Sequence, residues 1–333
     1  MGRAPQGRVK VAMLKVGVSE AVDPHLRQLL PKGIALEVIP LSPEREIEVE
    51  FWIVPPFYRH AKDAWPHLRG VRVAQSCMGG VDFLLKLLPR EVILCDARGV
   101  HTISTAEWAM AAILAAYKYL PFFGEVRRSG QWTRRREAEE HYRDIHQTEK
   151  HFYPPVLLEE LHGQRVLIVG YGSIGEAIEQ RLLPFGVQID RVARCPRAGV
   201  FGVDKLPDLL PQADVVVLAV PQTSETAGMI GKEQIAALKP GALLVNAARG
   251  QVVDTDALVA ALEAGHIRAA LDVTDPEPLP EGHPLWKVPN LLLTPHVAGS
   301  TPMFMTRAMR FAGQQIERYL KGDPLENVVT GEY

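Results

Sequence analysis

The chain has 333 residues, and at about 150 residues per domain this length predicts two domains. Hydrophobic residues make up 47% of the sequence and charged residues 23%, a balance typical of soluble globular proteins that excludes disordered and fibrous chains. The 37 basic and 39 acidic side chains leave a net charge of -2. A partner bound by bulk charge, such as nucleic acid or an anionic membrane, is therefore not expected.

Three scattered cysteines, Cys77, Cys95 and Cys195, show no CxxC spacing. They cannot build a disulfide framework, and they are typical of a reducing compartment. No apolar run reaches the roughly 18 residues of a membrane helix, and the opening segment lacks the apolar core of a signal peptide. These features predict a soluble, cytoplasmic protein, and no metal site is expected.

Short β-branched runs alternate with helical patterns along the whole chain. The runs interpreted as strands form two series, residues 9–14, 36–39, 51–54, 71–75 and 92–95, and then 166–169, 187–192, 215–220, 243–246, 269–273 and 291–293. Continuous apolar strands separated by helices are typical of parallel sheets that are covered on both faces. The sequence therefore predicts an α/β protein with two doubly wound, parallel-sheet domains.

Two helices frame the second series of strands. The first is predicted over residues 105–119, an apolar, Ala-rich segment long enough to link two domains. The second is predicted over residues 302–321 and ends at Gly322. Its apolar face consists of Phe304, Ala308, Ala312, Ile316 and Leu320.

A glycine-rich segment, VLIVGYGSIG at residues 166–175, follows an apolar strand and precedes a helical pattern. Gly170, Gly172 and Gly175 have the GxGxxG spacing, in which they allow a tight turn, a close approach to pyrophosphate and close helix–strand packing. The helix N-terminus, with Ser173 and Ile174, offers free N–H groups to phosphates. Three glycines at this spacing also occur by chance in loops, but the strand before and the helix after favour a dinucleotide site.

The end of the next strand indicates which dinucleotide binds. NAD requires a carboxylate there for the ribose 2′-hydroxyl, and Asp190 falls inside the predicted strand rather than at its tip. Near the tip are Ala193, Arg194 and Arg197, and guanidinium groups suit a 2′-phosphate. NADP(H) is therefore the expected cofactor. NAD(H) stays open if the two arginines are ordinary surface residues and Asp190 binds the ribose.

Four blocks then occur in order: GYGSIG at 170–175, NAARG at 246–250, LDVTDPEP at 271–278 and TPHVAG at 294–299. With GGVD at 79–82 and TAE at 105–107 upstream, the chain resembles the D-isomer-specific 2-hydroxyacid dehydrogenase family over nearly its whole length. The segment RCPR at 194–197 is similar to that of the NADP(H)-using glyoxylate/hydroxypyruvate reductases in this family.

The resemblance implies a flavodoxin-like substrate domain at residues 1–99 plus 297–333 and a Rossmann dinucleotide-binding domain at residues 100–296. It also implies an active site in the cleft between them, and a homodimer. The charged stretch 134–151 predicts a solvated helix or loop. Whether this stretch forms a surface helix, a dimer arm or part of the active-site rim stays open.

Reduction of a 2-keto acid requires a hydride, a proton for the carbonyl oxygen and a cation for the carboxylate. His296 is the natural acid–base group, and Arg249 offers a planar fork for the carboxylate or carbonyl. By family position, Glu277 is the carboxylate partner of His296, with Asp275 as its competitor. The backbone amides at Gly79 and Gly80 are expected to bind the substrate carboxylate as well.

Further cofactor contacts are expected at the carboxyl ends of the strands, where ligands of open α/β sheets bind. These candidates are Val220, Pro221, Thr226, Ala247, Ala248, Arg249 and His296. Thr102 is expected on the nicotinamide side. Asp272 is expected to contact the nicotinamide carboxamide, or else to cap the end of its strand.

The leading hypothesis is an NADP(H)-preferring reductase of small, anionic 2-keto acids such as glyoxylate or hydroxypyruvate. An NAD-dependent, phosphoglycerate-dehydrogenase-like enzyme is the alternative among enzymes. A dinucleotide-sensing, corepressor-like binding protein is the alternative from another class, although a pure sensor need not keep Arg249, Glu277 and His296 together. A formate dehydrogenase is disfavoured because there the partner of the histidine is expected to be an amide.

Overall fold

The computed structural model describes residues 13–331. Its strands are β1 (Lys15–Ser19), β2 (Ala35–Ile39), β3 (Ile47–Glu48), β4 (Phe51–Val54), β5 (Leu68–Arg69), β6 (Val73–Ser76), β7 (Ile93–Cys95), β8 (Arg165–Val169), β9 (Gln188–Val192), β10 (Val215–Leu218), β11 (Leu243–Asn246), β12 (Arg268–Leu271) and β13 (Leu291–Leu293). Its α-helices are α1 (Pro24–Arg27), α2 (Tyr58–Ala64), α3 (Leu84–Leu87), α4 (Thr102–Tyr117), α5 (Leu120–Ser129), α6 (Ala138–His146), α7 (Ser173–Leu182), α8 (Leu206–Leu209), α9 (Lys232–Ala236), α10 (Thr255–Glu263) and α11 (Phe304–Lys321). None of these helices combines the length and apolarity needed to cross a bilayer.

The described residues form two compact units, 13–100 with 302–331, and 101–301. The chain therefore returns to the first unit after residue 301, whereas the sequence placed this boundary after residue 296. Two hydrogen bonds explain the difference. The backbone amides of Val297 and Ala298 each donate to Asp272 over 2.8 Å, and this carboxylate keeps them in the second unit.

The first unit is built on a five-stranded parallel sheet with the order β2-β1-β4-β6-β7. Numbered within the sheet this is 2-1-3-4-5, the flavodoxin-like order. Val16, Val18, Phe51 and Ile53 are buried on the sheet and share a core with α11. The two-residue strands β3 and β5 pair with each other and were not predicted.

The prediction for the first strand was wrong. Residues 9–12 of that prediction lie outside the described residues, and the observed strand is β1, Lys15–Ser19. Lys15 and Gly17 make this segment look less apolar than the run before it, yet Val16 and Val18 are fully buried. A Cβ at Gly17 would lie 2.7 Å from Cδ1 of Ile39, so close packing against β2 requires the glycine. Every other predicted strand overlaps an observed one.

The second unit contains a six-stranded parallel sheet with the order β13-β12-β11-β10-β8-β9. Alternate residues of each central strand face two separate apolar cores. In β8, Leu167 and Val169 face one core, while Val166 and Ile168 face the other, with α4 and α7. The sheet order reverses between β8 and β10, and the carboxyl ends of strands at such a switch point are where ligands bind. The predicted α/β class with two parallel sheets is confirmed.

The predicted helices are observed with small shifts in their bounds. Helix α11 ends at Gly322, whose φ of 73° is left-handed, as expected for a glycine after a helix. Ala308, Ala312 and Ile316 are buried on its apolar face, but Leu320 is exposed. The prediction for Leu320 was wrong because each step of four residues rotates by about 40° around a helix of 3.6 residues per turn, which carries Leu320 off the buried side. Tyr319 packs against the core at this turn instead.

The charged stretch 134–151 folds as the end of a 3₁₀ helix (Trp132–Glu137) followed by α6. Most of its side chains are exposed or half-buried, as expected for a solvated helix. Ala138 and Ile145 are exceptions, because both are fully buried in a small cluster with Tyr119. The segment is therefore packed against the second unit by one narrow face.

Candidate active site

The glycine loop after β8 has the geometry of a phosphate cradle. Gly170 has a φ of 100°, and a Cβ on it would lie 2.5 Å from the carbonyl carbon of Ala219. A Cβ on Gly175 would lie 2.6 Å from the carbonyl oxygen of Gly170. At Gly172, the N-cap residue of α7, a Cβ would meet no atom within 4 Å. Two glycines are thus required by packing, and the third leaves the backbone open at the helix N-terminus.

The neighbours of this loop divide into ligand-side and core-side residues. The hydroxyl of Thr102 donates to Oγ of Ser173 over 3.2 Å, which places Thr102 beside the first residue of α7. Ile174, in contrast, packs against the core beneath the loop, so only its backbone is available to a ligand.

Asp190 lies in the middle of β9, paired in register with Leu167. Its carboxylate lies 3.3 Å from Nε of Arg165, the first residue of β8. Because ligands bind at the carboxyl ends of the strands, this ion pair directs Asp190 toward the opposite end of the sheet. This geometry does not favour a contact between Asp190 and a ribose.

Arg194 and Arg197 follow β9 and are both exposed. Arg197 donates from Nη2 to the carbonyl oxygen of Tyr171 over 2.8 Å. Within residues 13–331, the guanidinium of Arg194 makes no hydrogen bond or ion pair. After β9, the Arg197 guanidinium is therefore held by a hydrogen bond, whereas that of Arg194 is not.

The loop after β10 holds three of the predicted cofactor contacts. Thr226 is buried, donates from Oγ1 to the carbonyl oxygen of Pro221 over 2.7 Å and accepts from the amide of Thr223 over 2.8 Å. Val220 packs partly against the core. The hydroxyl of Thr226 therefore holds the loop in its conformation. Of the three predicted contacts, Pro221 is the one that is exposed.

The loop after β11 is organised by Asn246. Its side chain donates to the carbonyl oxygen of Arg249 over 2.9 Å and accepts from the amide of Ala248 over 3.0 Å. Ala248 is buried and Ala247 half-buried. Gly250 follows, where a Cβ would lie 2.0 Å from the carbonyl carbon of Thr274. The backbone around Arg249 is thus held from two sides.

Asp272, at the end of β12, is buried and binds the loop that carries His296. Its Oδ1 accepts from the hydroxyl of Thr294 over 2.6 Å and from the amide of Val297, and its Oδ2 accepts from the amide of Ala298. His296 itself has a φ of 52°, in the left-handed region that non-glycine residues rarely occupy. Its amide donates to the carbonyl oxygen of Asp272 over 2.7 Å. This loop structure matches the strand-cap alternative for Asp272.

His296 and Glu277 form the central pair of the site, with Nδ1 of the histidine 2.6 Å from Oε1 of the glutamate. The hydrogen bond from His296 lowers the pKa of Glu277 below its ordinary value, against the effect of burial. The charges of His296 and Arg249 lower this pKa further, which places the guanidinium close to the carboxylate. The imidazole is half-exposed, so its other nitrogen is accessible to a ligand.

Asp275 was the alternative to Glu277 as the carboxylate partner of His296. The hydrogen bond at this residue is made by its backbone, because its carbonyl oxygen accepts from Oγ1 of Thr255 over 2.8 Å. Gly79 and Gly80 belong to the first unit, in the loop after β6. In that loop the amide of Met78 donates to Oγ of Ser76 over 2.9 Å. A Cβ on Gly79 would meet no atom within 4 Å, so packing does not require a glycine there.

Sequence reasoning missed three positioning residues. Asn246 stands three residues before Arg249, and this spacing is a local signal that could have been used. Trp108 donates from Nε1 to Oγ1 of Thr294 over 3.0 Å, across 186 residues of sequence, and no local signal indicates this contact. Tyr171, in the glycine loop, contacts two arginines, and this too depends on the fold.

A Rossmann sheet with a dinucleotide cradle, together with a histidine–glutamate pair beside an arginine, defines an NAD(P)-dependent dehydrogenase. Residues 110–298 match the family model described as D-isomer specific 2-hydroxyacid dehydrogenase, NAD binding domain. The chain belongs to the D-isomer-specific 2-hydroxyacid dehydrogenase family, as its sequence blocks predicted. It is an oxidoreductase of this family.

Similar proteins include enzymes with different substrates. The chain is 32% identical to a glyoxylate reductase of Korarchaeum cryptofilum over 84% of its own length and 81% of the relative's. It is 34% identical to a formate dehydrogenase of Arabidopsis thaliana, over 71% of its own length and 60% of the relative's. A solved D-isomer specific 2-hydroxyacid dehydrogenase from Xanthobacter autotrophicus, in complex with NADPH and MES, matches with a TM-score of 0.74 and 28% identity, covering 96% of this chain and 98% of that one.

Proposed function

We propose that this protein is an NADP(H)-preferring reductase of small 2-keto acids such as glyoxylate or hydroxypyruvate. The observation that carries the proposal is the 2.6 Å contact between His296 Nδ1 and Glu277 Oε1. A carboxylate on one imidazole nitrogen orients the ring and fixes which nitrogen carries the hydrogen bond to the glutamate. The other nitrogen can then deliver a proton to a carbonyl oxygen.

When bound, the reduced nicotinamide supplies a hydride to the carbonyl carbon of the substrate. Arg249 binds the substrate carboxylate through its planar fork and polarises the neighbouring carbonyl. His296 donates its Nε2 proton to the carbonyl oxygen, while Glu277 holds the Nδ1 proton. The carbonyl carbon thus gains a hydride and its oxygen a proton, which yields the 2-hydroxy acid. In the reverse direction the neutral His296 accepts the hydroxyl proton.

The dinucleotide is proposed to lie along the carboxyl ends of β8 to β12. Gly170, Gly172, Ser173 and the backbone of Ile174 would hold the pyrophosphate, because a Cβ at Gly172 would meet no atom within 4 Å and the N-terminus of α7 is therefore sterically open to a ligand. Thr102, Val220, Pro221, Thr226, Ala247, Ala248 and Asp272 remain proposed contacts of the cofactor. Gly79 and Gly80 remain proposed contacts of the substrate carboxylate.

The preference for NADP(H) rests on the end of β9. Asp190 is paired with Arg165, while Arg194 and Arg197 provide two cations where a 2′-phosphate would lie. The Xanthobacter relative was solved with NADPH, and this supports the same choice. The carboxylate partner of His296 also continues to disfavour formate dehydrogenase activity.

A steady-state assay tests the proposal. NADPH and NADH oxidation is measured with glyoxylate, hydroxypyruvate and 3-phosphohydroxypyruvate, with His296→Ala as the inactive control. Turnover of the first two keto acids, faster with NADPH, is expected. Turnover confined to NADH and the phosphorylated substrate would instead support the phosphoglycerate-dehydrogenase-like alternative. Tight NAD(P)H binding without turnover of any keto acid would support the sensor and contradict the proposal.

The protein is further proposed to be a cytoplasmic homodimer. In the second unit, Trp132 is 80% exposed and Tyr153 is fully exposed, and exposed aromatic residues are enriched in protein interfaces. Sedimentation or light scattering of the wild type should therefore give twice the mass of one chain. Trp132→Glu should lower that mass, whereas a monomeric wild type would contradict the dimer.

A further inference from the structure

Tyr171 stands between the first two glycines of the phosphate cradle and contacts two arginines at once. The guanidinium carbon of Arg191 lies 5.6 Å from the centre of its ring, and that of Arg197 lies 5.5 Å from it. The amide of Tyr171 donates to the carbonyl oxygen of Val192 over 3.0 Å. The tyrosine therefore connects the glycine loop to the end of β9.

The Arg191 contact is fixed from the helix side. Glu179, a buried residue of α7, accepts from Nε of Arg191 over 2.7 Å and from Nη2 of the same guanidinium. Glu179 thus holds the guanidinium of Arg191 beside the tyrosine ring.

Arg197 receives two contacts from the same tyrosine. Besides lying over the ring, it donates from Nη2 to the carbonyl oxygen of Tyr171 over 2.8 Å. Its side chain is otherwise exposed, and an exposed arginine loses much rotamer entropy when it binds a ligand. An arginine that is already held in place loses less, so it binds a phosphate more tightly.

We propose that Tyr171 is a positioning residue that holds Arg197 ready for the 2′-phosphate of NADP(H). Arg194, which makes no contact of this kind, then joins the phosphate only when the ligand binds. This inference rests on the proposed preference for NADP(H). It assigns the discrimination between the two dinucleotides to the glycine loop as well as to the arginines after β9.

The expected effect follows from the strength of a cation–π contact. An exposed contact of this type contributes about 0.5–1 kcal/mol, which corresponds to about a two- to fivefold change in a dissociation constant. The loss should be confined to ligands that carry a 2′-phosphate. If Tyr171 only maintained the structure of the loop, its replacement would weaken the binding of every adenine nucleotide alike.

Calorimetric titration with adenosine 2′,5′-bisphosphate and with 5′-AMP tests the proposal without turnover. Tyr171→Ala and Tyr171→Leu should weaken binding of the bisphosphate about fivefold. They should change the affinity for 5′-AMP by no more than about twofold. Tyr171→Phe keeps the aromatic ring and should bind like the wild type. In Arg197→Ala, the further change Tyr171→Leu should have little additional effect on bisphosphate affinity.

Three results would overturn the inference: equal losses for both nucleotides, wild-type binding by Tyr171→Leu, or additive losses in the double variant. A separate outcome concerns the function proposed above. If the wild type binds both nucleotides equally, the preference for NADP(H) is wrong and the role of Tyr171 falls with it. Keto-acid turnover with NADH would be unaffected by that result, so the two failures are distinguishable.

Discussion

The indole Nε1 of Trp108 donates to Oγ1 of Thr294 over 3.0 Å, and the Thr294 hydroxyl donates in turn to Oδ1 of Asp272 over 2.6 Å. The Thr294 hydroxyl has one proton, so accepting from the indole directs that proton toward the carboxylate. Asp272 also binds the two amides that follow His296. Helix α4 therefore contributes, through Thr294, to the left-handed backbone conformation of His296.

Loss of the hydrogen bond between Trp108 and Thr294 should slow catalysis without weakening the binding of the cofactor. Trp108→Phe removes the indole donor, and a hydrogen bond of this kind contributes about 1 kcal/mol, or about a fivefold change in rate. We expect kcat to fall about fivefold while the dissociation constant for NADPH stays within about twofold. Trp286→Phe, at another exposed tryptophan of the same unit, is the matched control. An unchanged kcat in Trp108→Phe would show that His296 does not depend on this contact.

Glu277→Gln should move the pH dependence of keto-acid reduction. The pKa of Glu277 is held low by its hydrogen bond from His296, so the glutamate stays ionised at neutral pH and the pair is lost only on acidification through that lowered pKa. Glutamine does not ionise, so the variant has no group at this position that can be protonated on acidification. The decline of kcat that the wild type shows as the pH falls through the lowered pKa of Glu277 should therefore be missing from the variant.

The kcat–pH profile of Glu277→Gln, compared with that of the wild type, measures this difference. Glu281→Gln serves as a control, because this exposed residue belongs to the same loop region. An acid decline of kcat that persists unchanged in Glu277→Gln would mean that the ionisation of Glu277 does not govern the rate.

Arg194→Ala should raise the KM for NADPH by about tenfold or more, since a charge-assisted hydrogen bond contributes about 1.5–3 kcal/mol. The KM for NADH should change by less than about twofold, because NADH has no 2′-phosphate for this group to contact. Asp190→Asn provides the complementary test. Its pairing with Arg165 predicts an unchanged KM for NADH, and a large increase would restore Asp190 as a ribose ligand.

Arg268→Met should destabilise the fold. Both Arg268 and Glu159 are buried, and two hydrogen bonds of 3.0 and 3.2 Å join them. Removing one partner of a buried ion pair typically costs about 3–5 kcal/mol. Urea denaturation should show this loss at neutral pH. A loss below about 1 kcal/mol would indicate that the pair behaves like an exposed one.

The contribution of the Arg268–Glu159 pair to folding stability should depend on pH. Burial raises the pKa of Glu159, but the contact with Nε2 of His146 at 3.1 Å, the charge of Arg268 and the hydrogen bond from Tyr119 together lower it below the usual range. A carboxylate with a lowered folded-state pKa stabilises the protein above its unfolded pKa, and this contribution is lost as the pH falls through the folded value. The difference in stability between the wild type and Glu159→Gln should therefore be largest near neutral pH and shrink on acidification.

The parts of the protein that local sequence specifies could be predicted. Strands such as β4 and β10 are uninterrupted apolar runs that are buried on both faces, and the glycine loop has its signature within six residues, Gly170 to Gly175. The resemblance to a known family indicated His296, Glu277 and Arg249. The structure brings these three together in the second unit.

The remaining features depend on contacts between distant residues. Strand β1 contains Lys15 and Gly17, and only the packing of Gly17 against Ile39 explains why the strand lies there. The roles of Trp108 and Tyr171 arise from partners on other elements. Asp272 reads as a polar strand end in the sequence, whereas the bonds that it accepts from the His296 loop appear only after folding.

The contact at Gly250 has a consequence for engineering the substrate range of this enzyme. Any side chain at this position would collide with the backbone at Thr274. The backbones of the segments that carry Arg249 and Glu277 are therefore in direct contact here. Mutant libraries that vary residue 250 would mostly yield damaged scaffolds. Diversity is better introduced at the exposed residues where α2 begins, Phe57 and Tyr58, because a new side chain there disturbs neither of the two segments in contact at Gly250.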